Sequence, residues 1–261
     1  MTTPDPTPTP RTVVITGASA GLGAEMARQL AARGYDLALC ARRLERLEEL
    51  RAEILARHPE RTVLVAALDV NDADRVFEVF RGFRDDFATA GRRVDRVVVN
   101  AGLGKGAPLG TGRYDANRET AMTNFIGALT QTEAAMEIFR AQRSGHLVMI
   151  SSMSAMRGLP RSMTTYAATK AGVAHLAEGL RNELHGKPIK VSVLYPGYIA
   201  SEMNEHVAEK APMMVSTEKG VRAMVEAIEK EKASACVPPL PWAPMSVVMK
   251  HAPLGIFKKL M

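Results

Sequence analysis

Cysteine is nearly missing from this chain: Cys40 and Cys236 are the two present among 261 residues. So few argue against a disulfide framework and for a reducing compartment. Cys40 sits in an apolar run and reads as core filling. Aromatic residues are scarce, at 5%. No lysine–arginine cluster interleaves with them, which argues against a nucleic-acid binder despite the formal charge of +6. That excess reads as arginine on solvated helix faces, and it also suits an anionic cofactor or an anionic membrane surface. No apolar run reaches the ~18–20 residues of a membrane span. The six histidines lack metal-ligand spacing, so no metal site is expected. Residues 1–10 are polar and proline-rich. With no apolar h-region they read as a disordered tail rather than a secretory signal, and a cytoplasmic location is expected.

What is present is an ordinary globular balance, 46% hydrophobic and 24% charged, in a length that suits one large α/β domain. Short apolar runs alternate with helical patterns, which predicts a doubly wound, mostly parallel, seven-stranded sheet with helices on both faces. The runs fall at 12–16, 35–41, 62–70, 96–100, 146–150, 190–195 and 233–237. Helices are predicted over 22–33, 44–56, 117–140 and 165–184, with another entered at Ser216 or Thr217. Gly34 should stop the first helix. Val76, Phe80, Phe83 and Phe87 make one buried stripe on a further helix. The main α/β domain is expected over 11–237, followed by an amphipathic C-terminal extension, 238–261.

Between the first strand and first helix runs Thr16-Gly17-Ala18-Ser19-Ala20-Gly21-Leu22-Gly23. Glycines there allow a tight turn and let backbone N–H groups approach a pyrophosphate, and the helix N-terminus adds partial positive charge. Gly17, Ser19, Ala20, Gly21, Leu22 and Gly23 are therefore candidate cofactor contacts. The second strand ends Leu39-Cys40-Ala41-Arg42-Arg43, with no acidic residue where an NAD site would place one. Arg42 and Arg43 suit a 2′-phosphate through charge-assisted bonds, which favours NADP(H) over NAD(H). The plainer alternative is that they merely open a solvated helix. Asp69-Val70 and Asn100-Ala101-Gly102 close two further strands at the sheet edge where ligands bind. Asp69 is a candidate for the adenine amino group, or a helix cap.

Tyr166 and Lys170 stand one helical turn apart in Tyr166-Ala167-Ala168-Thr169-Lys170. A nearby ammonium stabilises tyrosinate, so the phenol is expected to be unusually acidic and able to act as a general acid or base. The order of motifs, from the glycine turn through Asn100-Ala101-Gly102, Asn124, Ser152, Tyr166 with Lys170, and Pro196-Gly197, resembles the short-chain dehydrogenase/reductase superfamily over most of the chain, about 11–237.

The resemblance implies a Rossmann-fold oxidoreductase that moves a hydride between the nicotinamide and a carbonyl or alcohol. It implies Tyr166 as the proton donor or acceptor and Lys170 as both its pKa-lowering partner and a ribose contact. Ser152 would hydrogen-bond the substrate oxygen, and Asn124 would hold a water in a proton relay. Pro196, Gly197, Ile199 and Ser201 would lie against the nicotinamide end, with Val70 and the strand-end residues further along. Two departures stand out. The segment between Ser152 and Tyr166 is one residue longer than the family's commonest spacing, which makes Ser154 a fallback for Ser152. Ser201 stands where a threonine is frequent. The resemblance also implies a homodimer or homotetramer through the two long helices, whose small residues include Ala134, Ala135, Ala171 and Ala174.

At the C-terminal end, Trp242 precedes Met245, Val248, Met249 and Ala252 at helical spacing, and Leu254, Ile256, Phe257, Leu260 and Met261 follow with Lys258 and Lys259. This segment either packs over the substrate cleft or a partner subunit, or rests on an anionic membrane as a peripheral patch. The Met-rich stretch 198–215 could form a lid, and its weak charge suggests an apolar ketone, aldehyde, alcohol or lipid-like substrate. A non-catalytic NADP(H)-binding scaffold on the same fold is the rival reading.

Overall fold

The computed structural model describes residues 11–202, 213–255 and 257. The tail 1–10, most of the expected lid and the last few residues of the extension lie outside that set.

Seven strands form a single sheet in the order β3-β2-β1-β4-β5-β6-β7. They are β1 (Thr12–Thr16), β2 (Asp36–Ala41), β3 (Val63–Ala67), β4 (Arg96–Val99), β5 (Gly145–Ile150), β6 (Ile189–Pro196) and β7 (Ser234–Val237). Every pairing among them is parallel. A parallel sheet covered on both faces needs strands that are apolar throughout, and β1 (TVVIT) and β2 (DLALCA) are buried at every position. The order turns back at β1, whose neighbours are β2 on one side and β4 on the other. At such a switch point the loops leave in opposite directions and open a crevice beyond the strands' C-terminal ends.

Helices cover both faces. On one side α1 (Gly21–Ala32), α2 (Leu44–Arg57) and α7 (Thr217–Glu229) bury Met26, Leu30, Leu47, Ile54, Met224 and Ile228. On the other, α3 (Ala73–Thr89) brings the expected Val76, Phe80, Phe83 and Phe87 stripe into a core with Ile138, Phe139 and Val173. Gly34 ends α1 with φ +88° while its N–H bonds Ala31, a left-handed stop that glycine adopts without strain. Asp72 and Ser216 cap α3 and α7 by accepting bonds from Arg75 and Lys219.

Some boundaries differ from expectation. Strand β3 stops at Ala67 rather than residue 70, because its partner β2 ends at Ala41. Leu68 makes one last bond to the Ala41 carbonyl, and the chain then turns toward the crevice. The expected helix over 117–140 comprises α4 (Tyr114–Ala121), a π-helical turn at Met122–Ile126 and α5 (Gly127–Gln142). The following long helix, α6, runs Met163–Glu183. Ala134, Ala135 and Ala174 are buried in the chain's own core. They are thus spent on internal packing and do not form an outward small-residue face.

The C-terminal helix α8 (Pro239–His251) joins a third cluster. Trp242, Met249 and Phe257 pack there with Met153, Leu159 and Ala167, and Met245 and Ala252 flank them. Arg157 reinforces this: its guanidinium donates to the Met249 and Ala252 carbonyls and lies 4.8 Å from the Phe257 ring centre. The described part of the extension therefore lies against its own catalytic half, while Leu240, Val247, Val248 and Leu254 face outward. Val248, expected on the same face as Met249, is on that outer side.

Candidate active site

The crevice begins at the glycine turn. Gly17 has φ +64°, and a Cβ there would come within 2.8 Å of the Ala101 backbone. A Cβ on Gly23 would lie 2.3 Å from the Gly17 carbonyl oxygen. Both positions require the missing side chain for turn and helix to meet. Helix α1 starts after Ala20 with no side-chain cap and no acid in its first turn. Its orphan N–H groups and partial positive charge are thus left facing the crevice, the arrangement that accepts a phosphate. A dinucleotide diphosphate fits this cradle.

Thr16 ties the switch point together. Its hydroxyl accepts from the N–H groups of Asn100 and Ala101, each at 3.0 Å. The Asn100 amide in turn donates to the Thr16 carbonyl at 2.9 Å. The glycine turn after β1 and the segment after β4 are held in one register, which the motifs alone did not reveal.

One cleft is lined by Gly17, Ser19, Ala20, Gly21, Leu22 and Gly23 from the turn, and by Arg42 and Arg43 beyond β2. Asp69, Val70, Asn100, Ala101 and Gly102 follow along the strand ends, then Ser152, Tyr166, Lys170, Pro196, Gly197, Ile199 and Ser201. Every expected cofactor residue thus borders the same space. Ala41, Leu68, Asn71, Leu103, Thr123, Ile150, Ser151 and Glu202 line it as well, without having been expected. The first two, at strand ends, could have been found from the strand boundaries; Glu202 carries no local signal. Asp69 neither caps α3 nor stands idle: its Oδ1 accepts from the backbone and side chain of Asn71, each at 3.0 Å.

At the other end lie Ser152, Tyr166 and Lys170. Ser152 precedes a tight turn, Met153–Met156, and its hydroxyl accepts from the Ser154 N–H at 3.1 Å. Ser152 and Tyr166 line the same stretch of the cleft. Ser154 serves that turn and is not among the cleft-lining residues, so the longer spacing leaves Ser152 in position. Lys170 is 6% exposed, and its Nζ donates to the Ile150 carbonyl at 3.0 Å. Burial among apolar neighbours pushes its pKa down to about 8.

The expected acidification of Tyr166 is not seen in this state. Desolvation raises the phenol pKa, and the nearby Ser152 hydroxyl opposes it without reversing the sign. The Lys170 ammonium lies 5.9 Å from the phenol ring centre and is directed to a carbonyl.

Asn124 is also placed differently from expectation. It sits in the π-helical turn, is buried and does not line the cleft. Its Oδ1 accepts from the Leu103 N–H and its Nδ2 donates to the Leu103 carbonyl, both at 2.8 Å. The side-chain amide thus clamps the loop after β4. That loop passes close by: a Cβ on Gly102 would lie 3.2 Å from Asn124 Oδ1 and 3.4 Å from Lys170 Nζ.

Among the described residues, no group of three or more His, Cys, Asp or Glu side chains could hold a metal ion. No helix among them is long and apolar enough to cross a membrane.

An all-parallel doubly wound sheet with a phosphate cradle at its switch point defines the dinucleotide-binding Rossmann class. Residues 11–212 match the short chain dehydrogenase family, and the chain belongs to it. It is 51% identical over 237 residues to an uncharacterized oxidoreductase of Mycobacterium tuberculosis, covering 91% of this chain and 92% of that one. It is 38% identical over 197 residues to 11-beta-hydroxysteroid dehydrogenase 1A of Arabidopsis thaliana, covering 75% of this chain and 54% of that one. A solved short-chain dehydrogenase from Sphingobium yanoikuyae in complex with NADPH superimposes with a TM-score of 0.80 at 25% identity, covering 96% of each chain. The family is one of oxidoreductases.

Proposed function

We propose that this oxidoreductase uses NADP(H) to interconvert an apolar ketone or aldehyde and its alcohol, with Tyr166 exchanging the proton. The observation that carries the reading is a single cleft with Ser19, Arg42 and Arg43 at one end and Ser152, Tyr166 and Lys170 at the other. When bound, the dinucleotide supplies or accepts the hydride.

Each side chain then has a task that follows from its surroundings. Arg42 and Arg43 give a 2′-phosphate charge-assisted donors, and no carboxylate at the end of β2 repels it. The desolvated Tyr166 phenol is neutral near pH 7, the form that can hand a proton to an oxygen gaining negative charge. Ser152, which lines the same cleft as that phenol, would donate to the same oxygen, as an oxyanion donor does. Once Tyr166 has given up its proton, the Lys170 ammonium, 5.9 Å from the ring centre, favours the tyrosinate. With its pKa at about 8, Lys170 can exchange a proton near neutrality. Asn124 keeps the Gly102–Leu103 segment from drifting into this space.

Met153, Leu159, Trp242 and Met249 form a buried apolar cluster beside the Ser152 turn. That apolar surrounding, together with the hydroxysteroid dehydrogenase name of the Arabidopsis relative, supports a hydrophobic substrate up to the size of a lipid or steroid. A homodimer or homotetramer through α5 and α6 and a reducing, cytoplasmic setting belong to the same reading. Both cysteines are free, which agrees with that setting.

Consumption of NADPH with a panel of ketones and aldehydes tests the proposal. Tyr166→Phe should lower the rate by at least about 100-fold, the lower range of general acid–base contributions. Turnover that ignores this change would remove Tyr166 from the chemistry, and no turnover by the native chain on any substrate would favour a binding scaffold instead.

A further inference from the structure

Glu202 lines the same end of the cleft as Ser19, Arg42 and Arg43. Its carboxylate lies 2.7 Å from the Arg46 guanidinium and 3.5 Å from that of Arg43. The same Arg43 nitrogen, Nη2, reaches the Ser19 hydroxyl at 3.3 Å. Ser19, Arg43, Glu202 and Arg46 thus form a continuous chain across the place where a 2′-phosphate would be held. An acid is absent from the end of β2, yet one arrives from the far side of the sheet, just past β6.

We propose that Glu202 is a specificity-determining residue, an internal anion that competes with the 2′-phosphate for Arg43 and narrows the cleft's preference for phosphorylated over unphosphorylated dinucleotide. The proposal rests on the NADP(H) reading above. A ribose 2′-phosphate carries about −1.5 to −2 charges at neutral pH and three acceptor oxygens, so it outbids a single carboxylate for a guanidinium. To do so it must draw Arg43 away from Glu202 or share it with a like charge, and either course subtracts from its affinity. A ribose hydroxyl makes no such bid and leaves the Glu202 pairs intact. The two arginines hold the Glu202 carboxyl below the usual carboxylate range, Arg46 foremost, so the competing charge persists well below neutral pH. The Glu202 and Arg43 side chains are 52% and 46% exposed, so solvent screens the competition and the effect is on the order of two- to fivefold.

Calorimetric binding of adenosine 2′,5′-bisphosphate and of 5′-AMP, which differ by the 2′-phosphate alone, tests this on the native chain, Glu202→Gln and Glu202→Ala. Both variants should bind the bisphosphate roughly two- to fivefold more tightly than the native chain does, with 5′-AMP affinity unchanged, and the gain should shrink in 0.5 M salt. Unchanged 5′-AMP binding also shows that the site is intact. If the ratio of the two affinities is the same in all three proteins, the inference about Glu202 is overturned, whatever that ratio is. If the native chain binds the two nucleotides equally, the NADP(H) reading itself is overturned.

Discussion

The indole of Trp242 lies so close over Gly197 that a Cβ on that glycine would come within 2.0 Å of the ring. Trp242 is 5% exposed and also meets Tyr198 edge-on at 5.5 Å. Gly197 lines the cleft, so the C-terminal helix supports the cleft wall from behind. Gly197→Ala should therefore behave as overpacking and cost about 1–3 kcal/mol. Thermal unfolding would register this as a drop of about 2–4 °C for each kcal/mol in a chain of this order of size. Because the obstacle is the indole, the same substitution should cost less in a Trp242→Ala background. Equal losses in both backgrounds would show that something other than Trp242 forbids a side chain at residue 197.

Lys170 makes a pH prediction whose sign is opposite to that of a salt-bridged lysine. Burial lowers its pKa from 10.5 to about 8. Between these values the unfolded chain binds a proton that the native chain does not, so native stability rises with pH. Below about pH 8 both states are protonated and the cost of a buried ammonium is present in full. Urea unfolding of the cofactor-free protein at pH 7, 9 and 10 should show the native chain gaining on Lys170→Met as pH increases. A difference that stays constant across the series would mean that the ammonium is hydrated in the folded state.

His146 acts in the same manner on the acid side. It lies in β5, 2% exposed, with Nε2 at 2.7 Å from the Ser192 hydroxyl and no partner for Nδ1. Desolvation, helped by the charge on Arg96, pushes its pKa from 6.5 to about 3. The unfolded chain takes up a proton through that interval while the native chain stays neutral, so stability should be lost as pH falls from 6.5 toward 3. Replacing His146 by Leu together with Ser192 by Ala removes the titration without leaving a buried hydroxyl unpaired. The double variant should lose less stability than the native chain between pH 7 and 4.5, and parallel losses would assign the acid sensitivity to other groups.

Much of the fold could be read from residue pattern. Strands buried on both faces must be apolar throughout, and the glycines of the first turn are required by contacts a Cβ would violate, so both leave marks in the sequence. Other features left none. Leu68 and Val70 are as buried as strand residues, yet they follow the end of β3, because pairing depends on where the neighbouring strand stops. The π-helical turn carrying Asn124 changes a hydrogen-bond register without changing the apolar period. Asn124 was recognisable as a motif residue, but its engagement with Leu103 was not.

The amino-acid sequence alone determined a parallel α/β sheet, the glycine cradle at its first turn, and the order in which Ser152, Tyr166 and Lys170 follow it. These depend on side-chain period, on the absence of a Cβ and on short spacings, all of which are local. The tertiary structure alone decided that Lys170 is buried against the Ile150 carbonyl, that Tyr166 is shifted upward and not downward, that Glu202 reaches Arg43, and that Trp242 covers Gly197. Solvent exposure and the meeting of distant segments set those outcomes, and both come into being only when the elements pack together.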